Sequence, residues 1–355
     1  MLTGKRIISL LLLSMVVFVS CTKNDPDPGL ELGNLPFMNS KGVFVINEGN
    51  FMQGNGSISF YSCDSGKIYN NLFMTSNSRP PGDIPFSMAM DPMGRLYLVV
   101  NNSGKIEILN RNSMESEQII PDLLSPRYIL MVSSGKAYLS SLYSEFLTVV
   151  DLNTGSVSGT IELGFTSEAM ILYNNKAYVS SWVEGSEVIV VDILSDQVVD
   201  TLLAGNEPES LVLDKNNNLW VLCSGGYTGI YSPELLCYDL NDNKILRRFI
   251  FPSKDEMPTS LSINPDLDTL YYINNTIWTL GINDVSLPVN PLIQKMGRNY
   301  YRMGVEKATG NIFATDAKDY QERGYLFIFK PDGTIIDSLK AGIIPGNLYF
   351  VDNAE

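Results

Sequence analysis

Lys136-Ala137-Tyr138-Leu139-Ser140-Ser141 and Lys176-Ala177-Tyr178-Val179-Ser180-Ser181 are near-copies, 40 residues apart. Each is flanked by matching runs. Pro126 to Val132 precedes the first copy, and Phe146-Leu147-Thr148-Val149-Val150-Asp151-Leu152 follows it. Glu168 to Tyr173 precedes the second, and Glu187-Val188-Ile189-Val190-Val191-Asp192-Ile193 follows it. Weaker copies start at Pro85 and at Pro208. Every unit reads as four short β-branched or aromatic runs separated by Gly, Asn, Asp and Ser. Turns such as Asp151-Leu152-Asn153-Thr154-Gly155 suit tight connections between third and fourth strands. A four-stranded unit at this period is a propeller blade.

The count of units gives the ring. First strands are expected near Phe86, Arg127, Glu168, Glu209, Thr259, Tyr300 and Gly346. Second strands are expected near Val43, Leu96, Ala137, Ala177, Leu219, Leu270 and Ile312. The body therefore opens on a second strand and ends on an unpartnered first strand. Pairing the two removes both open edges. The expectation is an all-β, seven-bladed β-propeller of four-stranded antiparallel blades, spanning 41–355 as a single domain. An open solenoid would carry distinct capping repeats, and none is visible.

The start of the chain reads differently. Lys5 and Arg6 precede an apolar run from Ile7 to Val19, too short for a comfortable membrane span. Residues 1–20 are expected to be a signal peptide. Cys21, after Phe18-Val19-Ser20, resembles the lipidated cysteine of a bacterial lipobox. Residues 21–40 then form a flexible tether rich in Asp, Pro and Gly. These features predict an outer-membrane, cell-surface protein held only by a lipid anchor. Cys63, Cys223 and Cys237 are an odd set and read as small core residues.

Composition narrows the chemistry. The 355 residues hold 25 basic and 39 acidic side chains, a net charge of −14, and no histidine. The acidic balance argues against nucleic acid as a partner. Without imidazole there is no Ser–His–Asp or Cys–His catalysis and no His-ligated metal. No catalytic residues, no metal site and no cofactor are expected, and the protein is read as a binder rather than an enzyme.

In a propeller, the loops after second and fourth strands share one face. The longer ones here, Asn47 to Asn55, Ser224 to Pro233 and Asp316 to Gly324, contain Phe51, Tyr227, Tyr231 and Tyr320. The shorter ones add Tyr143 and Trp182. An aromatic rim of this kind suits a large planar ligand or a sugar. Arg127 and Arg298 read as matching positions near the starts of first strands, facing the channel mouth. Asp316 belongs to a strongly charged last loop. The candidate ligand-binding residues are thus Phe51, Arg127, Tyr143, Trp182, Tyr227, Tyr231, Arg298, Asp316 and Tyr320.

The Lys-Ala-Tyr-Val-Ser-Ser runs resemble the YVTN repeat of surface-layer propellers. The opening Val43-Phe44-Val45-Ile46-Asn47-Glu48-Gly49-Asn50-Phe51, with Gly54-Asn55-Gly56-Ser57-Ile58-Ser59, resembles the first blade of lipid-anchored propellers from gut Bacteroidetes. The BtuG-type cobalamin-binding proteins belong to that group. The resemblance implies capture of cobalamin, as ligand and not cofactor, and delivery to a TonB-dependent outer-membrane transporter of the BtuB type. An adhesive or glycan-binding surface propeller fits the same repeats. A metal-dependent lactonase- or lyase-like enzyme fits them less well.

Overall fold

In the computed structural model, residues 41–351 are described, and the expected signal peptide, Cys21 and the expected tether lie outside them. The repeat appears as seven antiparallel sheets. The chain opens with β1 (Gly42–Asn47), β2 (Ser57–Ser62), β3 (Lys67–Tyr69) and the short helix α1 (Leu72–Asn77). Blade 2 is β4 (Pro85–Met90), β5 (Arg95–Val100), β6 (Lys105–Asn110) and β7 (Ser116–Ile120). Blade 3 is β8 (Pro126–Ser133), β9 (Lys136–Ser141), β10 (Phe146–Asp151) and β11 (Ser156–Glu162). Blade 4 is β12 (Ser167–Tyr173), β13 (Lys176–Ser181), β14 (Glu187–Asp192) and β15 (Gln197–Leu203). Blade 5 is β16 (Pro208–Leu213), β17 (Leu219–Cys223), β18 (Glu234–Asp239) and β19 (Lys244–Ile250). Blade 6 is β20 (Thr259–Ile263), β21 (Thr269–Asn274) and β22 (Thr276–Gly281). Blade 7 is β23 (Tyr300–Val305), β24 (Ile312–Asp316), β25 (Arg323–Phe329) and β26 (Ile335–Ile343). The last strand, β27 (Pro345–Val351), completes blade 1 in the order β27-β1-β2-β3.

The expected seven-bladed ring, closed by its C-terminal strand, is therefore present. Its sixth blade departs in detail. The fourth position holds a segment with Pro288 and Pro291 that touches β22 by a single bridge, Ile277 to Ile293. Proline has no N–H for a ladder, so a regular strand cannot form there. Helix α1 is also unannounced by the repeat. Its buried Leu72 and Phe73 seal the core beside β3, which is only three residues long.

The core lies between blades. The second strands are buried on both faces, so they read as nearly continuous apolar runs. In β5, Leu96, Leu98 and Val100 pack with Phe44 and Ile58 of blade 1. Tyr97 and Val99 pack with Ile129 and Leu139 of blade 3. In β13, Ala177 and Val179 join the cluster shared with blade 3, and Tyr178 the one shared with blade 5. Cys223 and Cys237 are buried in such clusters and Cys63 packs at the edge of one, with no disulfide among them. Burial pushes the Cys63 and Cys237 thiols up to about 12, which keeps both inert.

One irregularity repeats in every blade. The innermost strand carries one residue more than its neighbour, at the end nearest the loops that join second to third strands. Such a bulge leaves an amide without its ladder partner. The repeat supplies substitutes: Ser140 Oγ accepts the Tyr128 N–H and Ser180 Oγ accepts the Ala169 N–H, both at 2.9 Å. Thr315 Oγ1 accepts the Arg302 N–H at 3.0 Å. The first serine of the Ser-Ser pair in the repeat thus caps the bulge.

Closure rests on β27. Val43, Phe44 and Val45 pair with Phe350, Tyr349 and Leu348. Leu348 and Phe350 pack against the blade 7–blade 1 core, and Val351 enters the blade 1–blade 2 core. Ending the chain before Pro345 is expected to cost at least ~5 kcal/mol, or about 10 °C in Tm. Thermal unfolding followed by circular dichroism measures this; an unchanged Tm would mean the ring does not depend on the closing strand.

Candidate functional site

The bulges aim side chains at the channel mouth. The extra residues fall at Phe86, Arg127, Glu168, Glu209, Ser260, Tyr301 and Gly346 in blades 2 to 7 and 1. Gly346 leaves a gap that Glu48 fills: a Cβ there would sit 2.7 Å from Glu48 Oε1. Five of these bulge residues, Phe86, Arg127, Glu168, Glu209 and Tyr301, line a cavity of about 420 Å³ together with the loops above them. Leu142, Tyr143, Trp182, Val183, Tyr227 and Met257 form its upper wall. Below lies a second cavity of about 220 Å³, in the channel itself, lined by Tyr128, Met170, Ser210, Leu261 and Asn347. Glu209 and Arg302 line both and so mark the junction.

The polar floor is a buried network. Arg127 donates from Nε and Nη2 to Glu168 at 2.7 and 2.5 Å, and its guanidinium lies 3.6 Å from the centroid of the Phe86 ring. Burial alone would lower the Arg127 pKa; the Glu168 carboxylate overrides it and holds the proton more firmly. Tyr301 donates to Glu48 Oε2 at 3.1 Å. Arg302 Nη1 reaches Glu209 Oε1 at 3.7 Å, too long for a hydrogen bond. Burial also works against the charge on Arg302, but Tyr301, Tyr128, Glu209 and Glu48 together raise its pKa. Glu209 Oε2 accepts the Ser260 N–H at 2.8 Å. Tyr128 donates to Asn347 across blade 2, and Asn347 donates to the Phe86 carbonyl.

Four of the nine residues expected at the site meet in the cavity: Arg127, Tyr143, Trp182 and Tyr227. The others do not line it. Phe51 and Tyr231 are exposed outside it. Tyr320 stands edge-on to Tyr301, with ring centroids 5.8 Å apart. Asp316 is consumed by loop geometry, accepting the Asn299 and Lys318 amides at 2.9 Å. Arg298 requires a correction. The residue matching Arg127 in blade 7 is Tyr301, because Pro126 pairs with Ser141 as Tyr300 pairs with Asp316. Arg298 lies earlier, 4.2 Å over Phe327 and donating to the Tyr300 hydroxyl, and so packs within blade 7.

Glu48, Phe86, Glu209, Tyr301 and Arg302 line the cavity without having been singled out as site residues. Their common signal is position: all but Glu48 and Arg302 are the second residue, or its bulge equivalent, of a first strand. This arrangement can donate from guanidinium groups, accept at carboxylates and stack on aromatic rings. The carboxylates face guanidinium or phenol groups, a setting for organic hydrogen-bonding groups rather than a metal ion.

Burial pushes the Glu48 carboxyl above its ordinary range, although Arg302, Arg127 and Tyr301 pull the other way. A carboxyl whose pKa rises on folding favours the folded state while protonated and opposes it as pH climbs through the folded pKa. Glu48→Gln keeps an acceptor for Tyr301 and removes that opposition. The variant is expected to be more stable than the parent at about pH 7, with the gap closing towards pH ~4, the ordinary carboxylate value. Urea unfolding at both pH values checks this. A variant less stable at neutral pH would show that the carboxylate is needed to balance Arg302.

Comparison with known proteins supports the fold. A quinonprotein alcohol dehydrogenase-like protein from Bacteroides thetaiotaomicron superimposes with a TM-score of 0.63 at 14% identity, covering 88% of this chain and 78% of that one. Hydrazine synthase from Kuenenia stuttgartiensis gives 0.60 at 12%, covering 76% and 92%. AztD from Citrobacter koseri gives 0.54 at 10%, covering 88% and 98%. At these identities the likeness is one of architecture. No curated protein matches the sequence. The model of a domain of unknown function, DUF5074, matches residues 41–310, well over half of the chain. The protein is a member of the DUF5074 family.

Proposed function

We propose that this protein is a non-enzymatic binding protein of the cell surface. Lipidated at Cys21, it captures a corrinoid such as cobalamin and passes it to an outer-membrane transporter. The observation that carries the reading is the mouth cavity, in which Tyr143, Trp182 and Tyr227 stand above a buried Arg–Glu floor. The floor is fixed by bidentate and backbone hydrogen bonds, so a ligand loses little in ordering it. The wall offers rings for apolar faces, and the floor offers paired donors and acceptors for polar edges. A corrinoid is larger than the cavity, so it would rest across the exposed aromatic rim with a polar substituent inserted. Tyr143 and Tyr227, 68% and 82% exposed, are free to cover it. The resemblance of the first blade to cobalamin-binding propellers selects this ligand among amphipathic candidates.

Isothermal titration with cyanocobalamin tests the reading. Binding is expected, with Trp182→Ala and Tyr227→Ala each weakening it by about tenfold, or ~1.4 kcal/mol. Leu194→Ala, in an exposed turn between third and fourth strands on the opposite face, should leave it unchanged. Absence of heat, or equal affinity in the Trp182 and Tyr227 variants, would overturn the assignment of this ligand or of this face.

A further inference from the structure

The two arginines of the mouth use the same chemical edge differently. Arg127 gives its Nε–Nη2 edge to Glu168 in two parallel bonds. Arg302 gives the equivalent edge to no acceptor among the described residues. Its Nε is buried without a partner, and only Nη1 is engaged, with the Tyr301 carbonyl at 3.4 Å and Glu209 at 3.7 Å. The Arg302 side chain is only 15% exposed and stands at the junction of the two cavities. A buried donor left without an acceptor is destabilising, the more so when it is charged. Elsewhere in the same ring even the amides freed by bulges are capped, by Ser140, Ser180 and Thr315. Among the buried side-chain nitrogens of the described residues Arg302 Nε alone lacks a partner, although five buried oxygens also do, Glu48 Oε1 and Ser260 Oγ among them.

The surroundings decide what partner Arg302 takes. Glu48, Glu168 and Glu209 place three carboxyl groups around two guanidinium groups. An anion at Arg302 would face Glu209 directly, and a cation at Glu209 would face Arg302. A neutral group carrying an acceptor and a donor side by side satisfies both. Its carbonyl takes the Arg302 edge while its N–H donates to Glu209. The rings of Phe86, Tyr143 and Trp182 favour a planar group beside them.

We propose that Arg302 and Glu209 form a receptor for a planar primary carboxamide. The proposal rests on the mouth being the ligand site and names the group by which its ligand is recognised. Nicotinamide is the minimal probe, and nicotinate is its anionic counterpart. Titration of the protein by calorimetry and saturation-transfer NMR is expected to show nicotinamide binding at least tenfold more tightly than nicotinate. Arg302→Lys keeps a charge opposite Glu209 but lacks the planar fork. It should weaken nicotinamide about tenfold with little change in Tm. If Arg302→Lys does not fold, Glu209→Gln, nearly identical in volume, is expected to reduce the preference for amide over acid. Nicotinate binding as tightly as nicotinamide would overturn the proposal. So would unchanged nicotinamide binding in the folded variant, or no binding at about 10 mM. Cyanocobalamin is titrated in parallel. If it fails while nicotinamide binds, the corrinoid reading falls and the receptor stands. If it binds wild type and Arg302→Lys equally, the receptor falls and the corrinoid reading stands.

Discussion

The pairing of β27 with β1 is the constraint on which the rest of the molecule depends. The ring is locked when its last strand returns to the first blade, which leaves neither end strand unpaired. Here the return is tightly fitted: a Cβ at Gly304 of blade 7 would lie 2.6 Å from the Phe350 ring of β27. Asn47, at the end of β1, is fully buried and ties the seam together. It donates to Ser59 Oγ at 2.9 Å and accepts the Gly342 N–H at 2.9 Å. Closure also reaches the channel, because β27 carries Asn347, which bonds to Phe86 in blade 2 and accepts from Tyr128 in blade 3.

The inter-blade clusters and the bulges divide the labour. The clusters are apolar, and their contacts run circumferentially from blade to blade. They hold the ring without any contribution from the mouth. The bulges then rotate one residue per blade out of this packing and towards the axis. That position is free to be Phe, Arg, Glu, Ser, Tyr or Gly, because no blade core depends on it. Variation in the mouth is thereby separated from the stability of the scaffold.

The same division explains what could be read from the sequence. Strand number, strand order and closure follow from period-2 patterning and a 40-residue repeat, which the clusters impose. The aromatic loop residues Tyr143, Trp182 and Tyr227 were legible because loop length and residue type mark them. Glu48, Tyr301 and Arg302 were not. Their orientation is set by a one-residue shift in register, and periodicity read along a single strand does not reveal such a shift. Arg298 lies three residues before the position equivalent to Arg127 and ahead of β23, so its misplacement is one of strand start rather than of the bulge. The serine that recurs at Ser140 and Ser180 in the repeat is the trace of the bulge in the sequence. The missing outer strand of blade 6 was also marked, by Pro288 and Pro291, but by composition rather than by pattern.

A chain without histidine must build its polar centre from groups that hold one charge state near neutrality. Arg127 and Arg302 have their pKa values raised by their neighbours, and burial raises the phenols of Tyr128 and Tyr301. Donors therefore remain donors across the physiological range. Such a floor presents the same pattern of donors and acceptors each time a ligand arrives. Glu48 is the exception, drawn towards neutrality by burial and seated against Gly346 where the ring closes. The seam that completes the fold thus also places a carboxyl of the mouth whose charge burial opposes.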